Sequence, residues 1–141
     1  MSFYLDASAI IPVFVNEAHT DAMERFVGSN FGRYRVSEFA SGEVASAFSR
    51  LVRMNELSAS AARVLLDAFD RRRLTDCSIA TVDAADISLA ATFVRRFDLK
   101  LLLPDAIHLA ASQRQKLGLV TFDDRLANAA AALGVDHIVP V

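Results

Sequence analysis

Three aspartates, Asp6, Asp105 and Asp123, each follow a short apolar run and stand where a helical pattern opens. Aspartate is favoured at such positions because it caps free N–H groups and meets the positive end of the helix dipole. Each therefore has a purely structural explanation, and Asp83, in the same local setting, is assigned to capping alone. Glu43 falls outside that explanation. Ala40, Val44, Ala47, Phe48 and Leu51 mark the apolar face of one long helical pattern, and Glu43 borders it at helical spacing from Ala40 and Ala47. An ordinary flanking charge is the plainer alternative, while Glu38 and Glu56, near helix ends, lack even that placement.

Carboxylates gathered at one sheet edge repel one another and raise each other's pKa. A divalent cation resolves the conflict. Mg²⁺ and Mn²⁺ take hard oxygen ligands, and such ions activate water and neutralise charge on a phosphate under attack. Ser8, two residues after Asp6, and Thr121, two before Asp123, are candidates to support the same pocket. Each has an ordinary turn- or strand-stabilising role as the alternative. No nucleophile–base pair is required, and no phosphate-binding glycine motif is present. His19 and His137 lack zinc-site spacing, and His108, one turn beyond Asp105, reads as a structural histidine.

These acids need elements to position them. Phe3–Leu5 reads as a buried strand leading into a helix at Asp6, and residues 20–27 as a short helix closed by Gly28-Ser29-Asn30. A brief strand at 34–36 precedes Ser37, a good N-cap for a helix reaching about Met54, and Ser58 caps another to Arg73. Residues 77–82 read as a strand and Asp83 to about Phe97 as a helix. The apolar stretch 99–103 is halted by Pro104, where Asp105 opens a further helix. Residues 119–122 lead into the helix at Asp123-Asp124, Gly134 stops it, and 137–139 form a last strand. This alternation predicts an α/β sandwich around a parallel sheet. The consecutive long helices, 38–54 and 58–73, interrupt it and are expected to form a protruding helical hairpin beside the sheet.

Size and composition agree with one domain spanning residues 1–141. The hydrophobic fraction of 53% allows a sizeable core with apolar surface left for a partner. No apolar run is long enough for a bilayer, the N-terminus lacks a secretion pattern, and Cys77 is the lone cysteine, so a cytoplasmic location is expected. The net charge of −2 argues against a nucleic-acid partner only as an average, because four acids sequestered around metal ions would leave the remaining surface slightly basic. Thirteen of the 15 basic residues are arginines, which suit phosphate oxygens, although genome composition produces the same bias. Arg50 and Arg53, Arg71-Arg72-Arg73 and Arg95-Arg96 are candidate phosphate contacts, with solvated helix faces or dipole complements as the alternative.

Four segments, YLDASAI at 4–10, SGEVASAFSRLVR at 41–53, LPDAIHLAAS at 103–112 and LVTFDDRLA at 119–127, together resemble PIN-domain proteins. The resemblance is specifically to the VapC toxins of bacterial type II toxin–antitoxin pairs, and it covers essentially the whole chain. It implies a three-layer α/β/α sandwich and an endoribonuclease dependent on Mg²⁺ or Mn²⁺. It also implies a small cognate antitoxin as inhibitor and a homodimer. By position, Asp6 and Asp105 match the family's principal metal-holding aspartates, Glu43 its helical glutamate, and Asp123 the acid of its T-x-D segment. Catalysis would then rest on Asp6, Glu43, Asp105 and Asp123, with metal held by Asp6, Asp105 and Asp123. Asp124 leaves a one-residue ambiguity, and Thr121 sets the register toward Asp123. Arg50 becomes a candidate contact for RNA or antitoxin.

Three other readings are weaker. A receiver-like regulatory domain would need an acid beside Asp6 and a lysine late in a strand, and an aspartyl phosphatase a second acid at position 8. A catalytically silent binding module with the same fold stays open.

Overall fold

The computed structural model describes all residues, 1–141. Five short strands form one sheet: β1 (Phe3–Leu5), β2 (Tyr34–Ser37), β3 (Ser78–Ala80), β4 (Gly118–Val120) and β5 (His137–Ile138). Their spatial order is β3-β2-β1-β4-β5 and every ladder is parallel. Seven helices connect them: α1 (Ala7–Phe14), α2 (Thr20–Ser29), α3 (Glu38–Arg53), α4 (Ala59–Asp76), α5 (Ala84–Val94), α6 (Leu103–Arg114) and α7 (Asp124–Leu133).

Side chains alternate across a strand, and here the alternation divides the core in two. Phe3, Leu5, Tyr34, Val36 and Val120 pack with α1, α2, α3 and α4 on one face. Tyr4, Ala80 and Leu119 pack with α5, α6 and α7 on the other. The result is the expected three-layer α/β/α sandwich. The α3–α4 hairpin lies on the first face through Ala40, Val44, Phe48, Ala62 and Phe69, and its turn near Met54 is exposed. Arg73 ties the pair together, its Nη1 donating to Glu38 Oε1 at 2.7 Å and to Ser41 Oγ at 3.0 Å.

The elements differ from the sequence expectation mainly at their ends. Helix α4 runs three residues beyond Arg73, where Arg72 and Asp76 form an i,i+4 pair at 3.3 Å. Strand β3 is shorter than residues 77–82 because only β2 is available to pair with it. Helix α5 stops at Val94, and a 3₁₀ turn at Phe97–Leu99 followed by Lys100 at φ 54° breaks the chain direction. Helix α6 opens at Leu103, with Pro104 in its first turn where a missing N–H costs nothing. Asp105 therefore lies inside the first turn and is not the cap.

The strand order decides where a site can form. From β1 the chain moves outward through β2 to β3, then crosses to the other side of β1 to build β4 and β5. That reversal makes a topological switch point between β1 and β4, the place where open parallel sheets bind ligands beyond their carboxyl ends. Asp6 leaves β1 there, and Thr121 and Asp123 leave β4.

Candidate active site

Asp6 is 4% exposed and caps α1, its Oδ1 accepting from the Ala9 N–H at 3.0 Å. The cap takes only part of its bonding capacity. Ser8 Oγ donates to the same oxygen at 2.7 Å, and Thr121 Oγ1 donates to Oδ2 at 2.5 Å. The two hydroxyls also hold the neighbouring loop: the Phe122 N–H donates to Ser8 Oγ at 2.9 Å and the Asp123 N–H to Thr121 Oγ1 at 3.0 Å. Both candidate helpers are thus joined to Asp6, and through Thr121 the position of Asp123 is set by the position of Asp6. Burial pushes the Asp6 carboxyl above its ordinary range, with the bonds from Thr121, Ser8 and Ala9 pulling the other way.

Asp123 caps α7, accepting from the Leu126 N–H at 3.0 Å through Oδ1. Asp124 stands one residue into that helix and is exposed, away from the Asp6–Ser8–Thr121 bonding. Asp105 is half-buried at the start of α6. Its pKa is pushed up to about 6, first by burial and then by the charges of Asp123, Glu43 and Asp6, with His108 opposing. Asp105 therefore feels the charge of each of the other three carboxylates.

Glu43 reaches this region from α3, its side chain 30% exposed, and its Oε1 is bonded to His108 Nε2. His108 is 2% exposed, and its Nδ1 lies 2.7 Å from the Tyr4 hydroxyl, which lies 2.8 Å from Ser37 Oγ. One proton order satisfies every group: Ser37 donates to Tyr4, Tyr4 to His108 Nδ1, and His108 Nε2–H to the Glu43 carboxylate. Ser37 still caps α3 by accepting from the Ala40 N–H at 3.0 Å. Burial pushes the Tyr4 hydroxyl pKa well up, so it serves as a neutral donor.

This chain behind Glu43 is what sequence reasoning missed. His108 is indeed buried and hydrogen-bonded, and it also orients an acid of the site. The available signal was spacing: His108 follows Asp105 by three residues on one helix, so both face the same way.

Other candidates lie elsewhere. Arg50 is exposed and lines a groove of about 530 Å³ between α1 and α3, with Ile11, Val15, Leu51 and Met54. Arg53 bonds Ser49, Arg72 pairs with Asp76 and Arg96 with Asp98. Arg73 is an interhelix tie, which leaves Arg71 as the unpaired member of its triplet.

The donor set suits a hard cation, being carboxylate oxygen backed by hydroxyls and without sulfur. No three His, Cys, Asp or Glu groups converge to chelating distance in this arrangement, Asp6 being turned to its two hydroxyls. A cation would draw the mutually repelling acids inward.

Fold and site together define a parallel three-layer α/β protein with acidic residues at its switch point. The family model described as PIN domain matches residues 3–132. The chain belongs to the PIN-domain family. It is 34% identical over 148 residues to Ribonuclease VapC46 of Mycobacterium tuberculosis, covering 99% of this chain and 98% of that one. Among solved structures it is similar to Mycobacterium tuberculosis VapC20, described as a toxin cleaving the sarcin–ricin loop, with TM-score 0.73, 20% identity and coverage of 99% and 100%. It is also similar to DNA-bound VapBC of Salmonella typhimurium, with TM-score 0.72, 14% identity and coverage of 98% and 97%. At those identities the two structures establish the fold alone.

Proposed function

We propose that the chain is a divalent-metal-dependent endoribonuclease that acts as the toxin of a toxin–antitoxin pair. The observation that carries the reading is the placement of Asp6, Thr121 and Asp123 at the β1–β4 switch point, joined by hydrogen bonds, with Asp105 half-buried where it feels the charges of Asp123, Glu43 and Asp6. Such crowding of like charge is costly in a fold that gains nothing from it, and a cation converts the cost into binding. The 34% identity to a protein named as a ribonuclease supports the choice of substrate class.

Asp6, Asp105 and Asp123 would hold Mg²⁺ or Mn²⁺, and Glu43 would complete the site. When bound, such an ion lowers the pKa of a water and neutralises charge on the phosphate and the leaving oxygen. The chain's own residues do the rest. Ser8 and Thr121 bond both oxygens of Asp6, so little freedom is left for it to lose when an ion and substrate arrive. His108 holds Glu43 by Oε1, which leaves Oε2 free to take a proton from the attacking water.

A small antitoxin protein is a proposed partner, in keeping with the VapBC assembly among the similar structures, and a second copy of the chain is proposed from the apolar content left over for an interface. No helix is long and apolar enough to cross a membrane. The test is purified protein with RNA, with and without Mg²⁺ or Mn²⁺. Cleavage should need the ion and vanish in Asp6→Asn and Asp105→Asn while both variants stay folded. Equal cleavage in EDTA would overturn the mechanism. Expression should arrest growth and a co-expressed neighbouring antitoxin should relieve it; harmless expression would remove the toxin assignment alone.

A further inference from the structure

Beside the acids lies a feature that the chemistry above does not use. The His19 ring stacks on Phe122, centroids 4.2 Å apart and planes 13° from parallel. Phe122 sits between Thr121 and Asp123, the residues that join Asp6 to the fourth acid, and its N–H is held by Ser8. It packs against the core on the α1–α4 face. His19, by contrast, is exposed, stands at the start of α2, and makes no side-chain cap bond there. The inner face of the histidine ring is taken by Phe122. Its outer face has no aromatic partner in the protein.

We propose that the His19–Phe122 stack is a base platform: an unpaired nucleobase of RNA, next to the phosphate under attack, lies on the outer face of His19. The proposal rests on the nuclease reading for the identity of the ligand. Its physical basis is independent of it. Single-stranded nucleic acid is held by aromatic faces because every base has a π-face, and such stacking is tolerant of sequence. Unpaired loops are also where RNA offers splayed bases. A ring braced from behind by a core phenylalanine loses little freedom on binding, so more of the stacking energy is retained. The position fits the purpose: Phe122 precedes Asp123 directly and its N–H is held by Ser8, so the platform stands on the loop that carries the fourth acid.

The test is binding of a fluorescein-labelled, single-stranded random RNA dodecamer, followed by anisotropy in Ca²⁺, beside cleavage in Mg²⁺ or Mn²⁺. The same-length ribose-phosphate strand without bases is the control. His19→Ala should weaken binding of the dodecamer about tenfold and leave the base-free strand unchanged, and His19→Phe should bind the dodecamer within twofold of wild type. Thermal melting confirms that each exposed-site variant is folded. Equal loss on both strands would mean that His19 only shapes the loop, and unchanged binding by His19→Ala would mean that no base stacks there; either overturns the proposal. The nuclease reading fails separately, if wild type binds the dodecamer with the His19 dependence intact but cuts no RNA in either metal. No binding of the dodecamer at all overturns both.

Discussion

His108 Nε2 is bonded to the Glu43 carboxylate, and His108 Nδ1 faces the buried Tyr4 hydroxyl, so an acid on α3 is oriented from β1 through a side chain of α6. Partners of this kind in metal sites change affinity or activity by 10–100-fold when removed. His108→Ala is expected to lower kcat by that order with little change in KM for RNA, because Glu43 stays present but unaimed. His108→Gln, which can donate to Glu43, should recover part of the loss. Steady-state cleavage of one RNA by the three proteins checks this, and an unchanged kcat in His108→Ala would make the histidine merely structural.

Asp105 links the site to stability. Below about pH 3.8 its carboxyl is protonated in the folded and unfolded chain alike and contributes nothing. Between there and about pH 6 the unfolded chain gives up the proton and the folded protein keeps it, so stability falls as pH rises, then levels off. In EDTA, Asp105→Asn should therefore match wild type near pH 3.5 and exceed it by about 1–2 kcal/mol at pH 7, after allowance for solvent screening. Mg²⁺ should then stabilise wild type more than the variant. Urea denaturation across this range, with and without Mg²⁺, measures both differences.

The doubled acid is separable. Asp123 caps α7 and is tied to Asp6 through Thr121, whereas Asp124 is exposed beyond them. Asp123→Asn, which can still cap, should remove most cleavage with a modest change in melting temperature. Asp124→Asn should cleave within about twofold of wild type, since a surface charge outside the pocket is largely screened. Kinetics of the two variants side by side decide the register, and a reversed pattern would place the fourth acid at 124.

Away from the pocket, Asp86 is 1% exposed and carries a structural ion pair. Arg114 Nε donates to Oδ1 at 2.7 Å and Nη2 to Oδ2 at 2.9 Å, while the Asp83 N–H also donates to Oδ2. Burial by itself would raise the Asp86 pKa, but these donors outweigh it and hold the carboxyl below its usual range. Arg114→Met should leave a buried unpaired charge and cost about 3 kcal/mol at pH 7. Because the folded-state pKa is depressed, that contribution is present above about pH 3.8 and lost as pH falls through the lower folded value. Thermal melts of wild type and variant should thus converge in acid, and cleavage at neutral pH should change little while the variant is folded.

Local chemistry was enough to place the strand and helix sequence, the caps at Asp6, Ser37, Ser58 and Asp123, and the four acids on their elements. Capping and alternation are short-range effects and leave short-range patterns. Glu43 could be singled out because it sits where capping has no use for an acid. Element ends were less legible: Asp105 lies inside the first turn of α6 because Leu103 and Pro104 open the helix, and β4 ends before Thr121. What only the tertiary structure decided is which side chains meet. Tyr4 with His108 and Thr121 with Asp6 are separated by 104 and 115 residues. Their bonds exist because β1 lies between β2 and β4, an order set by packing the two faces of the sheet, which no local stretch of sequence encodes. The same packing put His19 on Phe122 and turned a histidine without a partner in sequence into a ring at the edge of the site.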